Sequence, residues 1–142
     1  MSTPNDRDAG TITLWMLGLV VVLFAVGGIS LDLWKVFGDR RELVALADAA
    51  ASAGASGIDE TLFRETGQVH LDPNRARERV LAALEEAPHG GEVSSVQISI
   101  VNDEVRVDLS RNTELTLLGV LSPGEEVRVE AHATAAPFES GA

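Results

Sequence analysis

Three histidines, no cysteine and a scatter of serines and carboxylates are all that this chain offers for chemistry. His70, His89 and His132 fall in a loop, a turn and the polar side of an alternating stretch. None has a second His or a Glu at the spacing that a metal ion needs. Without cysteine there is no disulfide, no zinc-thiolate site and no thiol nucleophile. Ser94-Ser95, Ser110 and Ser122 lack the glycines that sharpen a turn around a nucleophilic serine, and no glycine-rich loop cradles a phosphate. Glu85-Glu86 and Glu125-Glu126 are adjacent pairs whose side chains point to different sides, which suits solvated charge better than paired acid and base. The sequence thus shows no catalytic constellation, no metal site and no cofactor site. What remains is suited to contact: Asp32, Arg41 and Asp48, set among apolar or small neighbours, and the alanines Ala47, Ala51 and Ala55 at four-residue spacing.

Those residues lie just beyond Thr11 to Leu31, a stretch of 21 residues without a charge. About 20 helical residues cross a hydrocarbon core of roughly 30 Å, so its length fits one passage. In lipid every backbone group must be satisfied internally, which makes the segment a transmembrane helix. Ala25-Val26-Gly27 has the small-x-small form that signal peptidase cuts after. However, a signal core usually spans about 7–15 residues, and here the only base before the span, Arg7, sits between two aspartates. The reading is an uncut anchor.

The helix does not stop at the membrane. No proline occurs from Leu31 to Ala55, and Asp32, Lys35 and Asp39 pair at i,i+3 and i,i+4. Leu33, Val36, Phe37, Leu43, Val44, Ala47, Ala50, Ala51 and Gly54 form a broad apolar stripe. Thr11 to Ala55 would then be a single rod, with Gly54 and Gly57 closing it as C-terminal caps. Two packings suit the alanine run: against the chain's own sheet, which is favoured, or against other subunits. Asp32 marks the membrane boundary. Asp48 either faces water or pairs with a base on its own chain or a neighbour, and Arg41 lies seven residues back on the same face.

The remainder reads as a small head. A short helical turn is expected near Glu60–Glu65 within the loop from Ile58 to Leu71. A helix begins with Asp72 as N-cap and Pro73 at its first position, burying Ala76, Val80, Ala83, Leu84 and Ala87, and Pro88 and Gly90-Gly91 stop it. Val96, Ile98 and Ile100 alternate as a first strand, Asn102-Asp103 is a two-residue turn, and Val105, Val107 and Leu109 alternate as a second strand. Thr113 to Leu121 is apolar and suits a short helix or turn over the sheet. Val127 to Thr134 is a third strand, and the tail from Pro137 is loose. The class is α+β, a long N-terminal helix packed with an antiparallel sheet of about three strands. Its divisions are 1–10 as a tail, 11–31 as the span, 32–57 as a projecting helix, 58–136 as the head and 137–142 as a second tail.

Net charge is −11, nearly all of it after the span, so the head as a whole repels phosphate backbones and anionic lipid headgroups, and nucleic acid is excluded as a partner.

Gly28-Ile29-Ser30-Leu31-Asp32-Leu33, then Arg40-Arg41-Glu42-Leu43, then Ala47-Asp48-Ala49-Ala50-Ala51-Ser52-Ala53-Gly54-Ala55 resemble the TadE/TadG-like proteins of bacterial Flp (Tad) pilus systems. The resemblance covers residues 8 to 57. It implies a pilin-like architecture and a non-catalytic pilus-assembly or secretion component. It also implies an N-terminus in the cytoplasm and a head outside the plasma membrane, with the bilayer and other pilin-like subunits as partners. Prepilin peptidases cut after a Gly that precedes the helix and look for Glu at the fifth position beyond it. Here Gly10 is followed at that position by Trp15, which makes the chain closer to the unprocessed TadG type. The charge rule alone points the other way, since Lys35, Arg40 and Arg41 follow the span against Arg7 before it. Two other readings stay open: an exported soluble binding domain released near Gly27, and a single-pass regulator unrelated to pili.

Overall fold

The computed structural model describes residues 6–115 and 126–138. Its spine is α1, Asp6–Ala55, 50 residues without interruption and about 75 Å long at 1.5 Å per residue. The helix begins before the apolar span, at Asp6. Almost none of its most apolar stretch is covered by the rest of the chain, and it is a candidate single membrane span by length and composition.

The head is assembled on the last 24 residues or so of this rod. α2, Glu60–Thr66, starts at Asp59, whose carboxylate accepts from the Thr61 and Leu62 amides, and ends at Gly67 in the left-handed conformation with φ 72°. α3, Pro73–Glu86, is capped by Asp72 with Pro73 in its first turn, as the sequence indicates, and buries Ala76, Val80 and Leu84. A single 3-10 turn at Gly90–Glu92 leads into the sheet. β1, Ser95–Val101, β2, Glu104–Glu114, and β3, Glu126–Ala135, form an antiparallel sheet in the order β1-β2-β3. Asn102 and Asp103 both have positive φ, 52° and 60°, the geometry that a two-residue hairpin turn requires. The expected α+β layout is therefore the observed one.

One element differs from expectation. β2 runs on to Glu114, with Thr113 opposite Val127 and Glu114 opposite Glu126, so the start of the Thr113–Leu121 stretch is strand and not helix or turn. Thr113 continues the inward parity of Val105, Val107, Leu109 and Arg111, and its hydroxyl finds a partner on α1. Residues 116–121 lie outside the described residues.

β2 lies antiparallel to α1 along most of the head. A Cβ on Gly54 would stand 2.9 Å from Val105 Cγ1, while Lys35 Nζ donates to the Glu114 carbonyl at 2.9 Å. Nineteen helical residues rise about 28 Å and nine strand residues about 30 Å, so the two elements stay in step from one end to the other. The core between them holds Leu43, Leu46, Ala47, Ala50 and Ala51 of α1, Val80 and Leu84 of α3, and Val105, Val107, Leu109, Val129 and Ala131 of the sheet.

Gly54 and Gly57 do not act as left-handed caps, because Gly67 is the only described glycine with positive φ. They matter as places without a Cβ. At Gly57 a methyl would lie 2.6 Å from the Ala76 nitrogen and 2.7 Å from its Cα, backbone that cannot yield without moving α3. At Gly54 it would meet the side-chain tips of Val80 and Val105. Gly57→Ala is therefore expected to cost about 1–3 kcal/mol as overpacking. Gly54→Ala gains back up to about 1 kcal/mol of helix propensity and should cost less. Thermal unfolding of the two variants in mild detergent checks the ranking, and equal melting temperatures would contradict it.

Candidate interaction site along the long helix

α1 is sorted into two faces by the sheet. On the covered face, the side nearest the span is polar and the side nearest Ala55 is apolar. Lys35 reaches the Glu114 carbonyl, Asp39 Oδ2 accepts from Thr113 Oγ1 at 2.8 Å, and Glu42 lies 3.6 Å from Arg111 Nη2. Leu43, Leu46, Ala47, Ala50, Ala51 and Ala55 then take over as core.

Arg111 is the centre of the polar part. It is 5 % exposed, donates to the His89 carbonyl at 3.1 Å and lies 3.6 Å from both Glu42 and Glu92. His89 bridges the same two carboxylates, with Nδ1 3.1 Å from Glu92 and Nε2 3.7 Å from Glu42. This group links α1, β2 and the turn after α3. A buried guanidinium is tolerated only when carboxylates and carbonyls surround it, and here α1 and the turn after α3 supply them. At the far end of the head, Asp103 accepts from the Leu71 amide at 2.8 Å and lies 2.8 Å from His70 Nδ1, tying the β-hairpin to the chain before α3. The Leu71 amide, and secondarily His70, hold the Asp103 carboxyl below its usual range.

The hydrogen bond to Glu92, reinforced by the charge of Glu42, raises His89 above its ordinary 6.5, and the same bond lowers Glu92 below 4.5. A raised histidine stabilises the fold fully below its unfolded value and loses that contribution as pH climbs through the folded one. A lowered carboxyl contributes above its unfolded value and loses it as pH falls through the folded one. The clasp therefore supports the head best between the ordinary values of 4.5 and 6.5. Denaturation midpoints should decline as pH rises from about 6 to about 8, and His89→Gln should flatten that decline. An unchanged slope in the variant would contradict the assignment.

The residues singled out from sequence divide between the two faces. Ala47, Ala51 and Ala55 are buried in the head's own core, so their close-packing surface is occupied by the sheet and α3. Asp32 is 2 % exposed and is engaged by a partner. Arg41 and Asp48 are exposed on the opposite face, together with Val44, Ala45, Ala49 and Ser52. Among the described residues neither Arg41 nor Asp48 makes an ion pair. The structure thus groups Arg41 with Asp48 along one face and separates both from Asp32 and the alanines.

Sequence reading passed over Glu42, Arg111 and Thr113 as site residues and took Asp39 only as a helical partner of Lys35, whereas Asp39 accepts from Thr113 and Lys35 donates to the Glu114 carbonyl. The signal was available for two of them, because Arg111 and Thr113 share the odd-numbered, inward parity of Val105, Val107 and Leu109. The open side of the sheet holds a depression of about 360 Å³ lined by Gln97, Arg106, Asp108, Arg128, Glu130 and His132. Its charges are paired within each strand, Arg106 with Asp108 and Arg128 with Glu130, both at 3.1 Å. Among the described residues no group of three His, Asp or Glu side chains is placed to hold a metal ion.

No curated protein and no solved structure matches the chain. One family model does, described as putative Flp pilus-assembly TadE/G-like, and it matches residues 10–57, from the start of the span to the glycine that packs beneath α3, leaving the rest of the head outside the match.

Proposed function

We propose that this chain is a membrane-anchored, non-catalytic assembly component of a Flp-type pilus or a related secretion system. The observation that carries the reading is that the family match coincides with α1, in which an apolar span continues unbroken into the core of the head. A rod shared between bilayer and head transmits position and orientation from one to the other, which suits assembly better than release. In this reading residues 1–10 lie in the cytoplasm, the helix crosses the plasma membrane once, and residues 58–136 stand outside it. The missing Glu at position 15 favours the unprocessed TadG-like type.

Partners are the bilayer and other pilus-assembly or pilin-like subunits. Because Ala47, Ala51 and Ala55 are covered, lateral contacts between subunits use the exposed face of α1 around Asp48, Ala49 and Ser52, farther from the span than Arg41, where Asp48 has no ion-pair partner among the described residues. Deleting the coding sequence is expected to remove surface pili, and the unaltered chain supplied in trans to restore them. Normal piliation in the deletion strain would overturn the proposal.

A further inference from the structure

Ile29, Leu33, Trp34, Phe37, Gly38 and Arg41 line one shallow, continuous surface on α1, on the side away from the sheet. Trp34 is 76 % exposed and Phe37 55 %, a large apolar area for a segment that has already left the uncharged stretch. At 100° per residue, Trp34, Phe37 and Arg41 lie within about 40° of the direction opposite the buried Asp32. The chain has two tryptophans, and both are on α1 and exposed. Trp15 and Trp34 are separated by about 28 Å of helix, which is the thickness of a hydrocarbon core, and tryptophan is the residue that marks its two edges.

The charges around Trp34 are sorted in the same way. The acids of this stretch turn to the sheet: Asp32 is buried, Asp39 accepts from Thr113, and Glu42 lies beside Arg111. Lys35 also turns to the sheet, donating to the Glu114 carbonyl, but Arg40 and Arg41 are exposed, and among the described residues neither has an ion-pair partner, in a protein of net charge −11. They stand about 9–10 Å beyond Trp34 along the helix, where the polar headgroup layer adds some 5–8 Å to each side of the core, and a long arginine side chain can reach back toward it. Gly38 leaves open space between the aromatic rings and Arg41.

We propose that this face of α1 is a lipid-binding site: Trp34 and Phe37 lie in the headgroup boundary, Arg41 on the same face binds the phosphates of anionic phospholipid, and Arg40, about 100° to its side, adds a second cation at the rim. The proposal rests on the membrane anchorage proposed above and moves the outer edge of the lipid-facing region from Leu31 to Trp34 and Phe37. A second copy of the chain is a poorer occupant, because it brings the same two cations to the contact. Phosphate groups at a membrane surface supply the complementary charge, and each arginine there is worth about 1 kcal/mol.

The test uses the full chain reconstituted in vesicles of phosphatidylcholine and phosphatidylglycerol, with bromine placed on the acyl chains of one lipid or the other. In Trp15→Phe, where Trp34 is the only tryptophan, brominated phosphatidylglycerol should quench more strongly than brominated phosphatidylcholine. The preference should correspond to a relative association of about fivefold or more, and should fall toward unity in Arg40→Gln/Arg41→Gln. Trp34→Phe reports on the anchor separately through Trp15. Quenching of Trp15 without quenching of Trp34 would overturn this inference and leave the anchor standing. Quenching of neither would overturn both. Quenching of Trp34 with no preference for phosphatidylglycerol, or with a preference that survives loss of both arginines, would overturn the phosphate assignment.

Discussion

Leu43→Ala is expected to destabilise the head by about 2–5 kcal/mol, the range for emptying a buried leucine site. Leu43 has no exposed surface and stands where the polar contacts of α1 give way to its apolar core, next in the chain to Glu42. Removing three heavy atoms there opens a void under the sheet and loosens the Arg111 group beside it. Val44, its neighbour in sequence, faces away and is exposed, so Val44→Ala should change stability by no more than about 0.5 kcal/mol. Denaturant unfolding of both variants in mild detergent, followed by circular dichroism, makes the comparison. Equal losses would mean that α1 is not sided as described.

The second large effect concerns the span. Its 13 large aliphatic, Met and Phe residues favour insertion by roughly 0.3–0.6 kcal/mol each, about 4–8 kcal/mol in all. One arginine at mid-span costs about 2.5–3.5 kcal/mol and is tolerated; two cost about 5–7 kcal/mol, which offsets what the remaining residues supply. Val21→Arg should therefore remain in the membrane fraction, whereas Val20→Arg/Val21→Arg should shift substantially into the soluble or degraded pool. The head should be unaffected in itself, because Val20 and Val21 make no part of its core. Carbonate extraction of membranes reads the outcome. Full retention of the double variant would argue that the stretch is not held by lipid.

These effects show which features were legible in the sequence. The rod was, because an uncharged span followed by a proline-free amphipathic stretch has no other regular structure open to it. The Asp72-Pro73 helix start and the Asn102-Asp103 hairpin were legible because each depends on a few adjacent residues with fixed backbone preferences. The end of β2 was harder: Arg111 and Thr113 are polar at inward positions, so the hydrophobic alternation fades although the strand continues. The roles of Gly54 and Gly57 were hidden for a different reason. Their neighbours, Val80, Val105 and Ala76, lie up to about 50 residues away in the chain, and local sequence shows a glycine without showing what presses on it.

The candidate site was half legible. Arg41 and Asp48 were placed on one helical face by their seven-residue spacing, and they are exposed together there, with no ion pair between them among the described residues. The alanines at 47, 51 and 55 suited either of two packings, and only the position of the sheet decides that they belong to the head's interior. The basic residues after the span conflict with the charge rule for an outside head. Binding of lipid phosphate by Arg40 and Arg41 would give those charges a use at the outer surface.

The central claim is that α1 is one rod which crosses the membrane and carries the head outside the cell's inner compartment. Ser99 is exposed on the open side of β1, and the chain has no cysteine of its own. A Ser99→Cys variant therefore offers one accessible thiol on the head. With a membrane-impermeant maleimide that has access to the outer face of the plasma membrane, this thiol is expected to be labelled in intact cells. Labelling only after the membrane is broken would contradict the account.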